Sequence, residues 1–214
     1  VNTNRALAPG LGINVSAAVT SVKPSGTVSQ LCDSASGLHA RHSDTYIRTV
    51  RGDNKDPLTQ FMAGQGVPNE PCAMRPEHTT VFSFPVRSPA GSITRNDMTA
   101  IEQLDMWLMY QRHYTCHKPS VTVSVGEEEW PEVGAYVWKY FDEMSGVSFL
   151  PRFDHTYTQA PYQDCTERQY IEALDRMPKR INWSRLSEYE VVDTTTSSQT
   201  LACTGGVCEL VDIT

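Results

Sequence analysis

Apolar and polar positions change period several times along the chain, and each change marks an element. Val121-Thr122-Val123-Ser124-Val125 alternates with period two, the pattern of a strand buried on one face. Ala17-Ala18-Val19-Thr20-Ser21-Val22 is a second run of small and β-branched residues. It predicts a buried strand, broken by Lys23-Pro24-Ser25-Gly26. Residues 46–51 and 79–85 read as further strands, the latter ended by Pro85.

Met98, Ile101, Leu104, Leu108 and Met109 fall at helical spacing, so a helix is expected over 96–114. Val133, Tyr136, Val137, Tyr140, Phe141 and Met144 share one face of another, expected over 132–145 and closed by Gly146. Shorter helices are expected after the Ser25 cap, from Asp56-Pro57-Leu58, and from a Thr166/Gln169 capping box to Met177. The Pro- and Gly-rich stretch 64–76 reads as loop. Strands and helices alternate at lengths that suit βαβ crossovers, which supports an α/β fold, and no internal repeat organises the chain. From about Val192 the composition turns polar, and Asp193-Thr194-Thr195-Thr196-Ser197-Ser198-Gln199-Thr200 reads as a flexible linker. The expected division is therefore a domain over 1–191 and a flexible linker and tail over 192–214.

Composition narrows the function classes. With 214 residues and 39% hydrophobic content, the chain can bury one sizeable core or two small ones. A net charge of -7 argues against broad contact with nucleic acid, so a phosphate ligand must be held locally. No run approaches the roughly 20 apolar residues of a membrane span, and the start has no apolar signal core. Val1 is not a translation start, so a processed chain or a piece of a longer one is expected. Six cysteines lack the dense spacing of a secreted scaffold, which points to a reducing, cytoplasmic setting with available thiols.

Two stretches carry candidate chemistry. In Lys23-Pro24-Ser25-Gly26-Thr27-Val28-Ser29, a small-residue turn precedes a short helix, where amides and hydroxyls can hold phosphate. The same letters are also ordinary turn chemistry, and no Gly-Lys-Ser/Thr of a Walker loop follows. Cys203-Thr204-Gly205-Gly206-Val207-Cys208 puts two thiols across a Gly-Gly hinge on a tether, suited to a redox pair. Idle thiols remain the alternative, and no second ligand pair with zinc spacing lies nearby. His39 and His42 read as solvated or substrate-edge residues, and His113 and His117 as C-terminal helix neighbours, so no metal site is expected. Glu127, Glu128 and Glu129 favour the helix start that follows them. Cys32, Cys72, Cys116 and Cys165 read as buried small hydrophobes.

Together these motifs resemble a known family. The run from Lys23 to Ser29, continued through Asp33-Ser34-Ala35-Ser36-Gly37-Leu38-His39, resembles the substrate-phosphate loop of ribonucleotide reductase catalytic chains. Tyr46-Ile47-Arg48-Thr49-Val50 and Lys118-Pro119-Ser120-Val121-Thr122-Val123 resemble the adenosylcobalamin-dependent class, especially its monomeric triphosphate reductases. Cys203 and Cys208 match that family's C-terminal cysteine pair. The resemblance implies the C-terminal part of a ten-stranded α/β barrel plus a flexible tail. It implies thiyl-radical reduction of ribonucleoside triphosphates with adenosylcobalamin as cofactor. Ser25, Gly26, Thr27 and Val28 would hold substrate phosphates, while Cys203 and Cys208 would shuttle electrons from thioredoxin or a similar reductant. The family's Asn-Pro-Cys finger-loop motif does not occur here, and Asn69-Glu70-Pro71-Cys72 is not a substitute. The resemblance therefore implies an N-terminal complement as partner. The alternative expectation is a non-catalytic nucleotide-binding or regulatory fragment.

Overall fold

The structure is a computed structural model that describes all residues except 27, 153–157, 192–200, 205, 206 and 211–214. In chain order its principal elements are α1 (Asn2–Leu7), α2 (Val28–Leu31), β1 (Thr45–Asp53), α3 (Pro57–Gly64), β2 (Asn69–Pro71), β3 (Thr79–Arg87) and α4 (Ala100–His113). There follow β4 (Val121–Val125), α5 (Trp130–Lys139), β5 (Val147–Pro151), β6 (Tyr162–Asp164), α6 (Glu167–Arg176), β7 (Leu201–Thr204) and β8 (Val207–Leu210). The larger sheet has the strand order β2-β3-β1-β6, while β4 and β5 form a parallel pair and β7 and β8 an antiparallel one. The chain divides into two compact units, Val1–Thr49 with Phe84–Leu174, and Val50–Ser83 with Asp175–Thr214.

The first unit is organised around β4 and α4. Val121, Val123 and Val125 present one buried face to Leu104, Trp107, Leu108 and Val133. Each such side chain removed from water is worth about 1.5–3 kcal/mol. Trp107 is fully buried, and its indole N–H donates to the Pro119 carbonyl at 3.2 Å, so its one polar atom is satisfied. Helix α4 starts at a capping box in which Thr99 and Glu102 satisfy each other's backbone amides. Glu129 serves two helical turns at once, accepting from Gly126 N at 2.6 Å and from Ala100 N at 2.8 Å. Antiparallel to β1, β6 pairs Tyr46 with Asp164 and Arg48 with Tyr162.

In the second unit, Asp56 caps α3 by accepting from Leu58 N at 2.9 Å. Fully buried Phe61 on that helix packs on Trp183 and Tyr189 at ring distances of 5.4 and 5.6 Å. Asn54 ties the turn after β1 to the start of β3, donating to Glu77 O and accepting from Thr80 Oγ1.

Several expectations are corrected. The stretch 17–22 is not a buried strand: it belongs to no sheet, Ala17 is exposed and Val19 is 45% exposed. The helix expected over 96–114 starts only at Ala100, because Thr99 is its cap. The one expected over 132–145 starts earlier, at Trp130, and ends at Lys139. A separate 3-10 turn then carries Phe141, which faces solvent rather than the core. Pro85 lies inside β3, and the expected loop over 64–76 contains β2, paired Asn69 to Phe82. Strand β5 went unread because Val147-Ser148-Phe149-Leu150-Pro151 is short and closes on proline. Strands β4 and β5 form a parallel pair, and an isolated parallel bridge joins Arg41 to Thr94.

Candidate functional site

The turn at Ser25 is built by its neighbours in sequence. Ser25 N donates to Ser36 Oγ at 2.8 Å, and Ser36 Oγ donates back to Ser25 O at 2.9 Å. Ser25 Oγ accepts from Ser29 N at 3.1 Å, fixing the start of α2. Gly37 sits at φ +61, where a Cβ would lie 3.0 Å from Lys23 O, so both conformation and space require glycine there. A Cβ on Gly26, by contrast, would meet open space. Gly26 and Val28 are exposed and Ser25 is half-buried, while Thr27 lies outside the described residues.

His39 ties this turn to β4. Its Nδ1 lies 2.7 Å from Ser36 O, and its Nε2 accepts from Thr122 N at 2.9 Å. Only the Nδ1–H tautomer satisfies both contacts. Arg41 is buried, bound to Asp33 at 2.8 Å and to Tyr46 Oη at 3.3 Å, and Tyr46 in turn donates to Gln30 on α2. His42 Nε2 pairs with Asp164 at 3.0 Å and stacks on Tyr162. His39 and His42, expected in solvent or at a substrate edge, are both half-buried; His39 and Arg41 brace the turn through Ser36, Asp33 and, by way of Tyr46, Gln30.

Lys23 Nζ donates to Ser120 Oγ at 2.9 Å. Pro24, Ser120, Thr122, Ser145 and Ser148 border a cleft of about 280 Å³. The two sides of this contact are related in sequence, since Lys23-Pro24-Ser25-Gly26-Thr27-Val28-Ser29 and Lys118-Pro119-Ser120-Val121-Thr122-Val123-Ser124 differ only at the fourth position. That short repeat escaped the sequence reading.

The cysteines divide by setting. Cys203 and Cys208 face each other in register across β7 and β8. Opposed Cα positions in an antiparallel pair lie about 4.5–5.5 Å apart, within the range of a disulfide. Cys72 is buried, but Cys32 and Cys116 are exposed, against expectation. Hydrogen bonds from the Thr20 hydroxyl and the Val19 and Thr20 amides lower the Cys116 thiol to about 7. Burial raises that of Cys165. No cluster that could hold a metal ion occurs among the described residues, and no described helix is long and apolar enough to cross a membrane.

No family model matches the chain. It is 31% identical over 200 residues to an adenosylcobalamin-dependent ribonucleoside-triphosphate reductase of Euglena gracilis, covering 92% of this chain and 27% of that one. A probable reductase of the same description from Dictyostelium discoideum is 32% identical over 78% of this chain and 22% of its own length. A crystal structure of a B-12 dependent (class II) ribonucleotide reductase shares the fold with a TM-score of 0.71 and 23% identity, over 89% of this chain and 27% of that one. The chain thus spans about a quarter of the length of the relatives it matches.

Proposed function

We propose that this chain, a homologue of a segment of the adenosylcobalamin-dependent ribonucleoside-triphosphate reductases, is the C-terminal part of such an enzyme. It contributes the substrate-phosphate turn and the terminal dithiol, and its strands belong to a ten-stranded barrel completed by the N-terminal part of the reductase, as a separate chain or a missing segment. The observation that carries this reading is the 31% identity over 92% of the chain to the Euglena gracilis relative.

In this reading Ser25, Gly26, Thr27 and Val28 hold the phosphates of a ribonucleoside triphosphate, with Lys23 beside them. A turn braced by Ser36 and His39 and open at Gly26 supports that role, since fixed donors lose little entropy on binding an anion. The Cys203–Cys208 register supports the second role. The two thiols give two electrons and two protons to a disulfide in the complement and become a disulfide themselves. Thioredoxin or a similar dithiol then reduces it.

The relatives are named as adenosylcobalamin-dependent, and in this reading that cofactor would supply radical chemistry to the assembled enzyme. Two clefts among the described residues, of about 280 and 200 Å³, each fall below the ~300–1,000 Å³ usual for drug-sized ligands. Neither holds a corrinoid by itself, so in this reading its site is shared with the rest of the enzyme.

The test is reconstitution: the chain, its complement, nucleotide, adenosylcobalamin and dithiol are mixed and deoxynucleotide formation is measured. A well-folded complex without activity rejects the reading. Cys203→Ser should abolish thioredoxin-driven turnover while sparing one turnover of prereduced enzyme; equal loss of both rejects the shuttle.

A further inference from the structure

The ladder of β7 and β8 pairs Leu201 with Leu210, Ala202 with Glu209, Cys203 with Cys208 and Thr204 with Val207. Only two residues separate Thr204 from Val207. Positions that close along the chain can enter a ladder only by exchanging both backbone bonds, so theirs is a hydrogen-bonded pair. Bonded and non-bonded pairs alternate in an antiparallel ladder. Ala202–Glu209 is therefore the next bonded pair, and Cys203–Cys208 is the non-bonded pair between them. Opposed Cα positions at such a pair lie about 4.5 Å apart, against about 5.5 Å at a bonded one. That is the close end of the roughly 4.4–6.8 Å that a disulfide spans.

The rest of the register holds the ribbon weakly. It is a sheet of two strands, and an isolated two-stranded hairpin is marginal in water. The other three pairs join neither two aromatic residues nor opposite charges. Gly205-Gly206 suits a tight hairpin, but glycine also gives the open chain the most freedom to lose. A bond between Cys203 and Cys208 closes a loop of six residues. The entropy it removes from the open chain favours the closed form roughly 40-fold.

We infer that the tail is a redox-conditional hairpin: a Cys203–Cys208 disulfide holds β7 on β8, and its reduction lets the two strands part. Forming the bond releases two thiol protons and two electrons, which pass to a second disulfide and leave it as two thiols. The switch rests on this chain's own backbone register, whereas its use in a shuttle rests on the function proposed above. In that use one tail thiol attacks the target and forms a mixed disulfide, while the other can stand ~17 Å away along the open chain. Closing the ribbon brings the second thiol onto the mixed disulfide, forms the tail bond and releases the target as a dithiol. Folding of the tail and its departure are then one step.

The test uses the full chain alone and dilute, reduced with dithiothreitol or oxidised with glutathione disulfide, and reads amide exchange residue by residue by NMR. Oxidation should slow the amides of Ala202, Thr204, Val207 and Glu209 at least tenfold and leave those of Cys203 and Cys208 fast. Equal rates in the two states, or protection that falls on Cys203 and Cys208 instead, overturns the inference. A tail that forms no disulfide, or forms it only between two copies, does the same. Linkage is reciprocal, so the ribbon must stabilise the bond by the factor by which the bond stabilises the ribbon. Val207→Pro removes a ladder donor, so the equilibrium of the tail disulfide against glutathione, followed on its own peptide by mass spectrometry, should fall at least tenfold. Val207→Ala keeps the N–H and should change it less than threefold. No change in Val207→Pro, or an equal fall in both variants, overturns the inference. Neither complement nor turnover enters, so failure here leaves the proposed enzyme standing, and an inactive reconstituted complex leaves the hairpin standing.

Discussion

Two stretches of similar composition meet opposite fates. Residues 17–22 and 121–125 are both runs of small and β-branched residues, and each adjoins a copy of Lys-Pro-Ser. The later run is a strand whose valines are buried between α4, α5 and β5. The earlier one enters no sheet and is held mainly by bonds to the segment that precedes β4: Thr20 Oγ1 to Tyr114 O, Cys116 N to Thr20 O and Ser120 N to Val22 O. The proline copies part in the same way, Pro119 buried with its carbonyl bonded to Trp107 and Pro24 exposed at the cleft. Both runs carry β-branched residues, but the two alanines of the earlier one weaken its strand preference, and the partners available to each differ as well.

The sharpest test of that contrast is a charge in each run. Val123→Asp buries an unpaired carboxylate and should unfold the chain, a cost above about 4 kcal/mol. Val19→Asp should shift the urea midpoint by no more than about 0.5 kcal/mol equivalent. A large loss from Val19→Asp would show that 17–22 is buried in solution, through a second copy or another contact.

Next in size is Trp107→Ala, expected to cost about 3–5 kcal/mol by urea unfolding, because it empties the core under the second Lys-Pro-Ser copy. For the first copy, Gly37→Ala should cost about 1–3 kcal/mol, since alanine must adopt φ +61 beside Lys23 O. His39→Ala leaves Thr122 N without its acceptor and should cost about 1–3 kcal/mol. Faster amide exchange at both Ser25 and Thr122 would confirm that one imidazole links the copies; a change at Thr122 alone would break that link.

The smallest effect is chemical and sits where the earlier run meets the segment that precedes β4. Cys116 is reactive as thiolate, so its alkylation rate should rise through a midpoint at about pH 7. Thr20→Val removes the largest cause of the lowered value and should move that midpoint upward. Cys165, raised by burial, should react more slowly at neutral pH.

Legibility followed how local each determinant was. The β4 alternation, the Asp56 cap and the Thr166/Gln169 box were readable because neighbours in sequence decide them. The helix after Gly126 was readable in register but not in extent. Its apolar face continues to Met144, yet the chain breaks at Tyr140 and turns Phe141 outward. Within the candidate site, Ser25 and Gly26 were visible as turn chemistry. Ser36, His39 and Arg41 were not visible as its supports, since their partners include Thr122, 83 residues from His39.

The sequence by itself determined where β4 lies and, to within a few residues, where α4 lies, though its helical spacing counted exposed Met109 and passed over buried Trp107; it also placed a small-residue turn and a cysteine pair at opposite ends of the chain. Periodicity and capping are local, so those features survive without coordinates. Only the tertiary structure decided that one β-branched run is a buried strand and its near twin is not. It also decided that an imidazole joins the turn to β4. Each of those depends on which distant groups satisfy a backbone donor, and pairing across dozens of residues is invisible to local pattern.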